Sequence, residues 1–199
     1  MEFIKKYNTH FFILIVIVLT IVDMIYWNQL SITRKLVNIF AIVAALHEIE
    51  EKIWPGGFYE LMLNKFKIEK EKADLGRATL VVSIYWILLL GIAYVFESYV
   101  FILAITITLS IFEAFIHTAG IRIHKLSKPY TPGLVTAWGM AIVGFYSIYV
   151  LNALGLANAL DYIVGAVLWV LSFICMDAVI ISGLGITIPE LISTFKENF

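Results

Sequence analysis

Long apolar blocks alternate with short polar segments along the whole chain. A helix that crosses the hydrocarbon core of a membrane needs about 20 mostly apolar residues, and lipid-facing strands or loops leave backbone polar groups unsatisfied. The pattern therefore predicts an all-α fold, a polytopic transmembrane helical bundle that forms a single integral membrane domain over residues 1–199. About six membrane helices are expected, from Phe11 to Leu30, Leu36 to about Trp54, Ala78 to Phe96, Tyr99 to about His117, Leu134 to Leu151 and Leu160 to Leu184.

The second stretch differs from the others because its apolar part is short. Residues 36–46 are interrupted by Asn38 and then run into His47-Glu48-Ile49-Glu50-Glu51-Lys52. Charged side chains are costly in lipid, so this helix is predicted to be short or kinked and to span only if its charges point into protein. The sequence leaves open whether residues 36–54 cross the membrane or re-enter on the same side.

Composition supports a membrane protein and excludes other classes. The mean hydropathy is +0.93, and 61% of residues are hydrophobic while 15% are charged, which is too apolar for a soluble enzyme. A net charge of −1, from 14 Lys and Arg against 15 Asp and Glu, gives no basic surface for nucleic acid. Membrane lipids are thus the expected surroundings, and nucleic acid is not an expected partner.

Basic residues near the span ends predict the orientation, because positively charged loops tend to stay in the cytoplasm. With six spans, every Lys and Arg except Arg34 and Lys35 falls on one side. This predicts a multi-pass protein of the cell membrane with its N- and C-termini in the cytoplasm. If the second stretch re-enters, Lys5 and Lys6 exchange sides with Arg34 and Lys35 and the charge balance is unchanged, so the N-terminal side stays open.

Two further segments have the character of interfacial helices. Between Pro55 and Arg77, apolar residues recur at helical spacing, which suggests a cytoplasmic amphipathic helix in the membrane plane, with a loop of no special role as the alternative. The apolar positions are Phe58, Leu61, Met62 and Phe66. The tail from Ile186 to Phe199 is a candidate for another short interfacial helix.

Ionisable residues inside apolar spans point to function by default, since each is costly unless paired or hydrated. In the second stretch, His47, Glu50 and Glu51 follow i, i+3, i+4 spacing and share an arc of about 100° on one helix face, with Glu48 at its edge. In the fourth, another such stripe lies within about 40° if the helix continues far enough. Its members are Glu113, His117 and His124, with Gly120 on the same side.

The predicted topology places both stripes at a similar depth near the cytoplasmic face. Asp177 falls in the same half of the sixth span, whereas Asp23 joins only if the N-terminus is outside. Imidazole and carboxylate groups converging from two helices are typical ligands of zinc or non-haem iron. The alternative is a pair of ordinary i,i+4 contacts near the headgroups.

The predicted cofactor is accordingly a divalent metal ion, zinc or iron. Its candidate ligands are His47, Glu50, Glu51, Glu113, His117 and His124, with Asp177 as a further candidate. Glu50, Glu51 and Glu113 are also the candidate catalytic carboxylates, because one that is free of the metal can act as a general base.

The pentapeptide His47-Glu48-Ile49-Glu50-Glu51 resembles the motif that names the HXXEE family of integral membrane proteins. The resemblance extends to Glu113-x-x-x-His117 and to Tyr130-Thr131-Pro132-Gly133-Leu134 before the fifth span. It implies that His47, Glu50 and Glu51 are the defining residues, but it implies no reaction.

Three functional hypotheses follow from these residues. The first is an intramembrane metal-dependent enzyme, most simply a hydrolase, that acts on a hydrophobic or lipid-like substrate; a metal-free acid–base isomerase would use the same groups. The second is a transporter for a metal ion or proton, which the single depth of the two stripes disfavours. The third is a binding or assembly subunit in which the cluster is structural.

Overall fold

The computed structural model describes residues 2–184 and residue 189, and every element in this part of the chain is helical. Two single-turn 3-10 helices, Trp27–Gln29 and Lys70–Lys72, occur in connections. The seven α-helices are α1 (Glu2–Ile25), α2 (Ile32–Lys52), α3 (Phe58–Phe66), α4 (Leu75–Val95), α5 (Val100–Ile123), α6 (Leu134–Ala153) and α7 (Ala159–Leu184).

The six long helices run alternately up and down a bundle. At one end, Lys5 of α1 forms an ion pair with Asp74 before α4, with 2.7 Å between Nζ and Oδ2. The backbone N–H of Asp74 donates to the carbonyl of Gly183 near the end of α7, at 3.0 Å. At the other end, Ser31 before α2 donates to Glu97 in the turn after α4. The first end, where α2 and α5 terminate, is called the site end below.

α2 passes through the middle of this bundle. It is a continuous helix of 21 residues, as long as α4 and therefore not shortened. Its buried residues include Phe40, Glu48 and Glu51, so its charged half faces protein, which removes most of the cost of holding charges at membrane depth.

In the described part of the chain, five other helices are long and apolar enough to cross a membrane, namely α1, α4, α5, α6 and α7. The chain is therefore a helical membrane protein, and about six helices traverse the bundle. The excess of Lys and Arg at the site end predicts that this end faces the cytoplasm.

α1 begins at Glu2, well before the expected Phe11. Asn8 explains the extension, because this polar residue is buried against α4 and not in a headgroup flank. Its amide donates to Thr79 at 3.0 Å and accepts from Ser83 at 2.8 Å. These bonds fix the first turns of α1 to the site end of α4.

Asp23 lies at the end of the bundle opposite the site. Its carboxylate accepts hydrogen bonds from Asn38 at 3.0 Å and Tyr94 at 2.7 Å, and Arg34 lies 3.5 Å away. Because this carboxylate is separated from the histidines by the buried apolar half of α2, it is a structural ion-pair group and not a member of the site.

The segment expected to hold an in-plane helix contains α3. The helix packs Tyr59 and Leu63 onto Ala78 of α4 and Leu184 of α7, so it covers the site end of the bundle. The tail predicted as a second interfacial helix, residues 186–199, lies outside the described residues apart from residue 189.

Candidate metal centre

Two helices bring four ionisable side chains together at the site end. His47 and Glu51 lie one turn apart on α2, and Glu113 and His117 lie one turn apart on α5. The imidazole side chains are 3% and 1% exposed, and the carboxylate side chains of Glu51 and Glu113 are 9% and 17% exposed. The predicted stripes therefore do face each other inside protein.

Both carboxylates lie close to both imidazoles. An oxygen of Glu51 is 3.1 Å from Nε2 of His117 and 3.5 Å from Nε2 of His47. An oxygen of Glu113 is 3.5 Å from Nε2 of His117 and 3.9 Å from Nε2 of His47. Ligand atoms of His47, Glu113 and His117 all lie within 4.8 Å of one another.

These separations fit a tetrahedral cation site. Ligands at about 2.0–2.1 Å from a central zinc ion lie about 3.3–3.4 Å from one another. The four nitrogen–oxygen distances in the cluster, 3.1 to 3.9 Å, bracket that value. The donor set of two imidazoles and carboxylates is one that zinc and non-haem iron accept.

Thr131 orients the imidazole of His117. The threonine hydroxyl donates to the backbone carbonyl of His117 at 3.0 Å, so its lone pair is left to receive Nδ1–H, 3.3 Å away. The proton on Nδ1 leaves the lone pair of Nε2 directed at the cluster. Nε2 is buried, has no well-formed hydrogen bond within the described chain and faces the carboxylates of Glu51 and Glu113, so it is placed where a cation between these groups would lie.

Thr136 orients His47 in the same manner. The threonine hydroxyl donates to Glu50, and Nδ1 of His47 lies 3.1 Å from the hydroxyl oxygen. His47 thus also presents Nε2 to the two carboxylates. A hydrogen bond that fixes the tautomer of a metal-binding histidine through its other nitrogen is a recurring feature of metal sites.

Gly133, the N-terminal cap of α6, closes one side of the cluster. Its φ is +94°, a left-handed conformation that favours glycine. A Cβ atom there would lie 2.6 Å from Cε1 of His117, 2.8 Å from Cγ of Glu51 and 2.9 Å from Cε1 of His47. The backbone therefore touches three of the four cluster side chains, which only glycine permits.

Glu50, a predicted ligand and catalytic residue, is not brought into the cluster. One oxygen accepts from Tyr130 and from the backbone of Val135, and the other accepts from the backbone and hydroxyl of Thr136. A carboxylate at a helix N-terminus is stabilised by the free N–H groups there. Glu50 therefore holds α6 and its threonine in place.

Glu48, set at the edge of the predicted arc, forms a separate buried group. It pairs with Lys52 and accepts from Nε1 of Trp86 at 3.2 Å. Tyr59 of α3 lies beside this pair, and its ring centroid is 6.0 Å from the ammonium of Lys52. Burial and the charges of Glu48 and Glu51 raise the pKa of Tyr59 well above 10.0, so its hydroxyl keeps its proton.

His124 and Asp177 line the same cavity as the cluster but lie outside the group of close ligand atoms. α5 ends at Ile123, so His124 is the C-terminal cap and leaves the stripe of Glu113 and His117. Burial, together with the nearby Lys65, lowers the pKa of His124. Gly120 lets the loop before α6 approach, because a Cβ there would lie 3.2 Å from Thr131.

A cavity of about 430 Å³ adjoins the four side chains. This volume falls within the roughly 300–1,000 Å³ usual for small-molecule sites. Apart from the ionisable groups, its walls are largely aliphatic and aromatic, with α3 as the cover. Apolar lining residues include Phe58, Leu61, Met62, Phe112, Phe173 and Ile180.

The sequence did not reveal which groups orient the histidines, although Thr131 and Gly133 lie in the segment Tyr130-Thr131-Pro132-Gly133-Leu134 that carries part of the family resemblance. Thr131, Thr136 and Gly133 are ordinary loop and helix-start residues by type, and their roles appear only when α6 docks against α2 and α5. The Pro132-Gly133 pair before an apolar span marks a turn, which was a further signal.

Comparisons with known proteins identify the motif but no reaction. A family model described as "Protein of unknown function with HXXEE motif" matches residues 38–150, a range that contains the whole cluster and the loop that orients it. No curated protein and no solved structure matches the chain.

Proposed function

The chain belongs to this HXXEE family of unknown function, and from its site we propose an intramembrane metal-dependent enzyme that acts on a hydrophobic, lipid-like substrate, most simply by hydrolysis. The observation that carries the proposal is the buried cluster in which two histidines direct Nε2 at two carboxylates. A cation balances the two negative charges, which otherwise repel each other in a buried site.

His47, His117 and Glu113 are the proposed ligands, because their donor atoms form the close group. A bound zinc or iron ion would act as a Lewis acid toward a water molecule or substrate oxygen. Thr131 and Thr136 keep the imidazoles in the ligating tautomer, and the backbone of Gly133 packs directly against the cluster.

Glu51 is the proposed general base, because it is next to the ligand set and lines the cavity. In hydrolysis of an ester, Glu51 takes a proton from water as the water oxygen bonds to the acyl carbon. The same proton passes to the alcohol oxygen as the bond between it and the acyl carbon breaks. The hydroxyl of water thus ends in the carboxylic acid product and its proton in the alcohol product.

The lining of the cavity supports a lipid-like substrate. Aromatic and aliphatic side chains from α3, α5 and α7 surround the approach to the cluster, and burying hydrocarbon there is favourable by roughly 25 cal/mol per Å². The cavity lies within the membrane bundle, where such substrates are concentrated.

A metal-free acid–base isomerase is the second candidate. It is favoured by the 3.1 Å contact between Glu51 and Nε2 of His117, since an imidazole and a carboxylate at this distance can exchange a proton. Metal content separates the two candidates.

The test is metal analysis of the purified, folded protein together with hydrolysis of a p-nitrophenyl ester of a medium-chain fatty acid. Wild type and the matched control His10→Ala, an exposed histidine on α1, should retain one divalent ion per chain and hydrolyse the ester. His117→Ala should lose both properties, and Glu51→Gln should keep the ion but lose hydrolysis. Folded wild type that binds no zinc or iron would overturn metal dependence and leave the acid–base candidate.

A further inference from the structure

Asp177 projects from α7 into the apolar part of the cavity. Its side chain is half-buried, and Glu113 is the nearby charged group that acts on it. Within the described chain no hydrogen bond or ion pair engages it, and the nearby hydroxyl of Tyr85 is taken by Ser172 at 3.1 Å.

A carboxyl group on a largely apolar cavity wall of a membrane helix calls for an explanation, because ionisable residues in such helices are rare and mostly mark functional sites. The lining residues within one turn of it on α7 are Phe173, Met176 and Ile180. None of these side chains offers a strong donor. A ligand in the cavity would supply one.

The charge of the cavity selects the kind of donor. A cation at the cluster would balance Glu113, but Asp177 lies outside the group of close ligand atoms, so an ionised carboxyl at Asp177 still repels an anionic headgroup. The basic residue on the α3 side, Lys65, is already engaged by the carbonyl of Ile123 at 2.8 Å. A neutral or cationic donor is therefore favoured at Asp177.

We propose that Asp177 binds the headgroup of the substrate, and that the substrate is an amphipathic lipid whose head carries a hydroxyl or an amino group. This inference rests on the proposed function for the position of the reacting bond at the His/Glu cluster. The headgroup donates to Asp177, and the hydrocarbon chain lies against the apolar walls from α3, α5 and α7.

The test uses three probes of equal chain length, dodecylamine, 1-dodecanol and dodecanoate, with the purified protein in zwitterionic lipid nanodiscs. Affinity is obtained from the rise in unfolding temperature with probe concentration. Wild type should bind the amine and the alcohol more tightly than the carboxylate. Asp177→Asn should weaken amine binding by about tenfold or more, because a charge-assisted bond is lost, and should weaken alcohol binding less.

The control is Asp161→Asn, which changes a carboxyl at the opposite end of the same helix. It should leave all three affinities unchanged. Without probe, Asp177→Asn should be at least as stable as wild type, since it removes an unpaired carboxyl, so loss of folding does not obscure the result.

Equal binding of the three probes to wild type, or unchanged amine binding in Asp177→Asn, would overturn the inference. Probe binding is measured both with a chelator and with added zinc, and it requires no turnover. Failure of the headgroup proposal is thereby distinguished from failure of the metal-dependent enzyme, which the metal analysis tests.

Discussion

Gly133 is the position where one added carbon should disturb the cluster most. Gly133→Ala has two costs. The left-handed φ of +94° costs a non-glycine residue about 1–2 kcal/mol. The new Cβ would also lie 2.6 to 2.9 Å from atoms of His117, Glu51 and His47, so these side chains must move by roughly half an ångström or more to reach ordinary contact distances.

Gly155→Ala provides the matched control. Gly155 lies in the turn between α6 and α7 with φ +65°, and a Cβ there meets nothing within 4 Å. It therefore carries backbone strain without any clash and lies far from the cluster.

The assay is zinc affinity measured by competition with a chromophoric chelator, with thermal unfolding in parallel. Displaced histidine ligands should lower the affinity of Gly133→Ala by about 10–100-fold, as when groups that orient ligands are lost. Gly155→Ala should lose stability alone. Wild-type zinc affinity in folded Gly133→Ala, or an equal loss in Gly155→Ala, would refute the packing of this glycine against the ligands.

Three further substitutions, all outside the four-residue cluster, should change stability without removing the bound ion. Glu50→Gln weakens four hydrogen bonds at the start of α6. The free energy of unfolding should therefore fall by about 1–3 kcal/mol, while the bound ion is retained. Loss of the ion as complete as in His117→Ala would instead make Glu50 a ligand. Asp23→Asn removes the pairing with Arg34 at the opposite end and should lower the unfolding temperature with unchanged metal content, measured on the same sample. Burial and the bond to Glu50 raise the pKa of Tyr130 from 10.0 to about 12, so the stability from this contact is complete below pH 10 and is lost between pH 10 and 12. Tyr130→Phe should remove this pH dependence from the free energy of unfolding. The same pH dependence in wild type and Tyr130→Phe would contradict the assignment.

The spans were predictable because lipid imposes a simple rule on length and apolarity. α6 and α7 begin within one residue of the expected positions. The first span was predicted from Phe11 to Leu30, where the apolar stretch lies, whereas α1 runs from Glu2 to Ile25. Asn8 is tolerated inside the bundle because its partners, Thr79 and Ser83, lie on α4, and a single-helix pattern does not reveal partners on another helix.

The site was predictable in its helix faces but not in its membership. The spacing of His47 with Glu51 and of Glu113 with His117 predicted two facing stripes, and the fold confirms that they meet. Glu50 and Glu51 are neighbours that point about 100° apart on a helix, so which one meets the histidines depends on where α6 docks. That docking also decides the threonine contacts, which have no sequence period.

The central claim is that His47, Glu113 and His117 hold a divalent cation beside Glu51. X-ray diffraction from crystals of the zinc-loaded protein, recorded on both sides of the zinc absorption edge, tests it most directly. The account predicts one anomalous peak between Nε2 of His47 and Nε2 of His117, at about 2.0–2.2 Å from both nitrogens and from a carboxylate oxygen. A map with no peak there, from protein in which these four side chains are ordered, would contradict it.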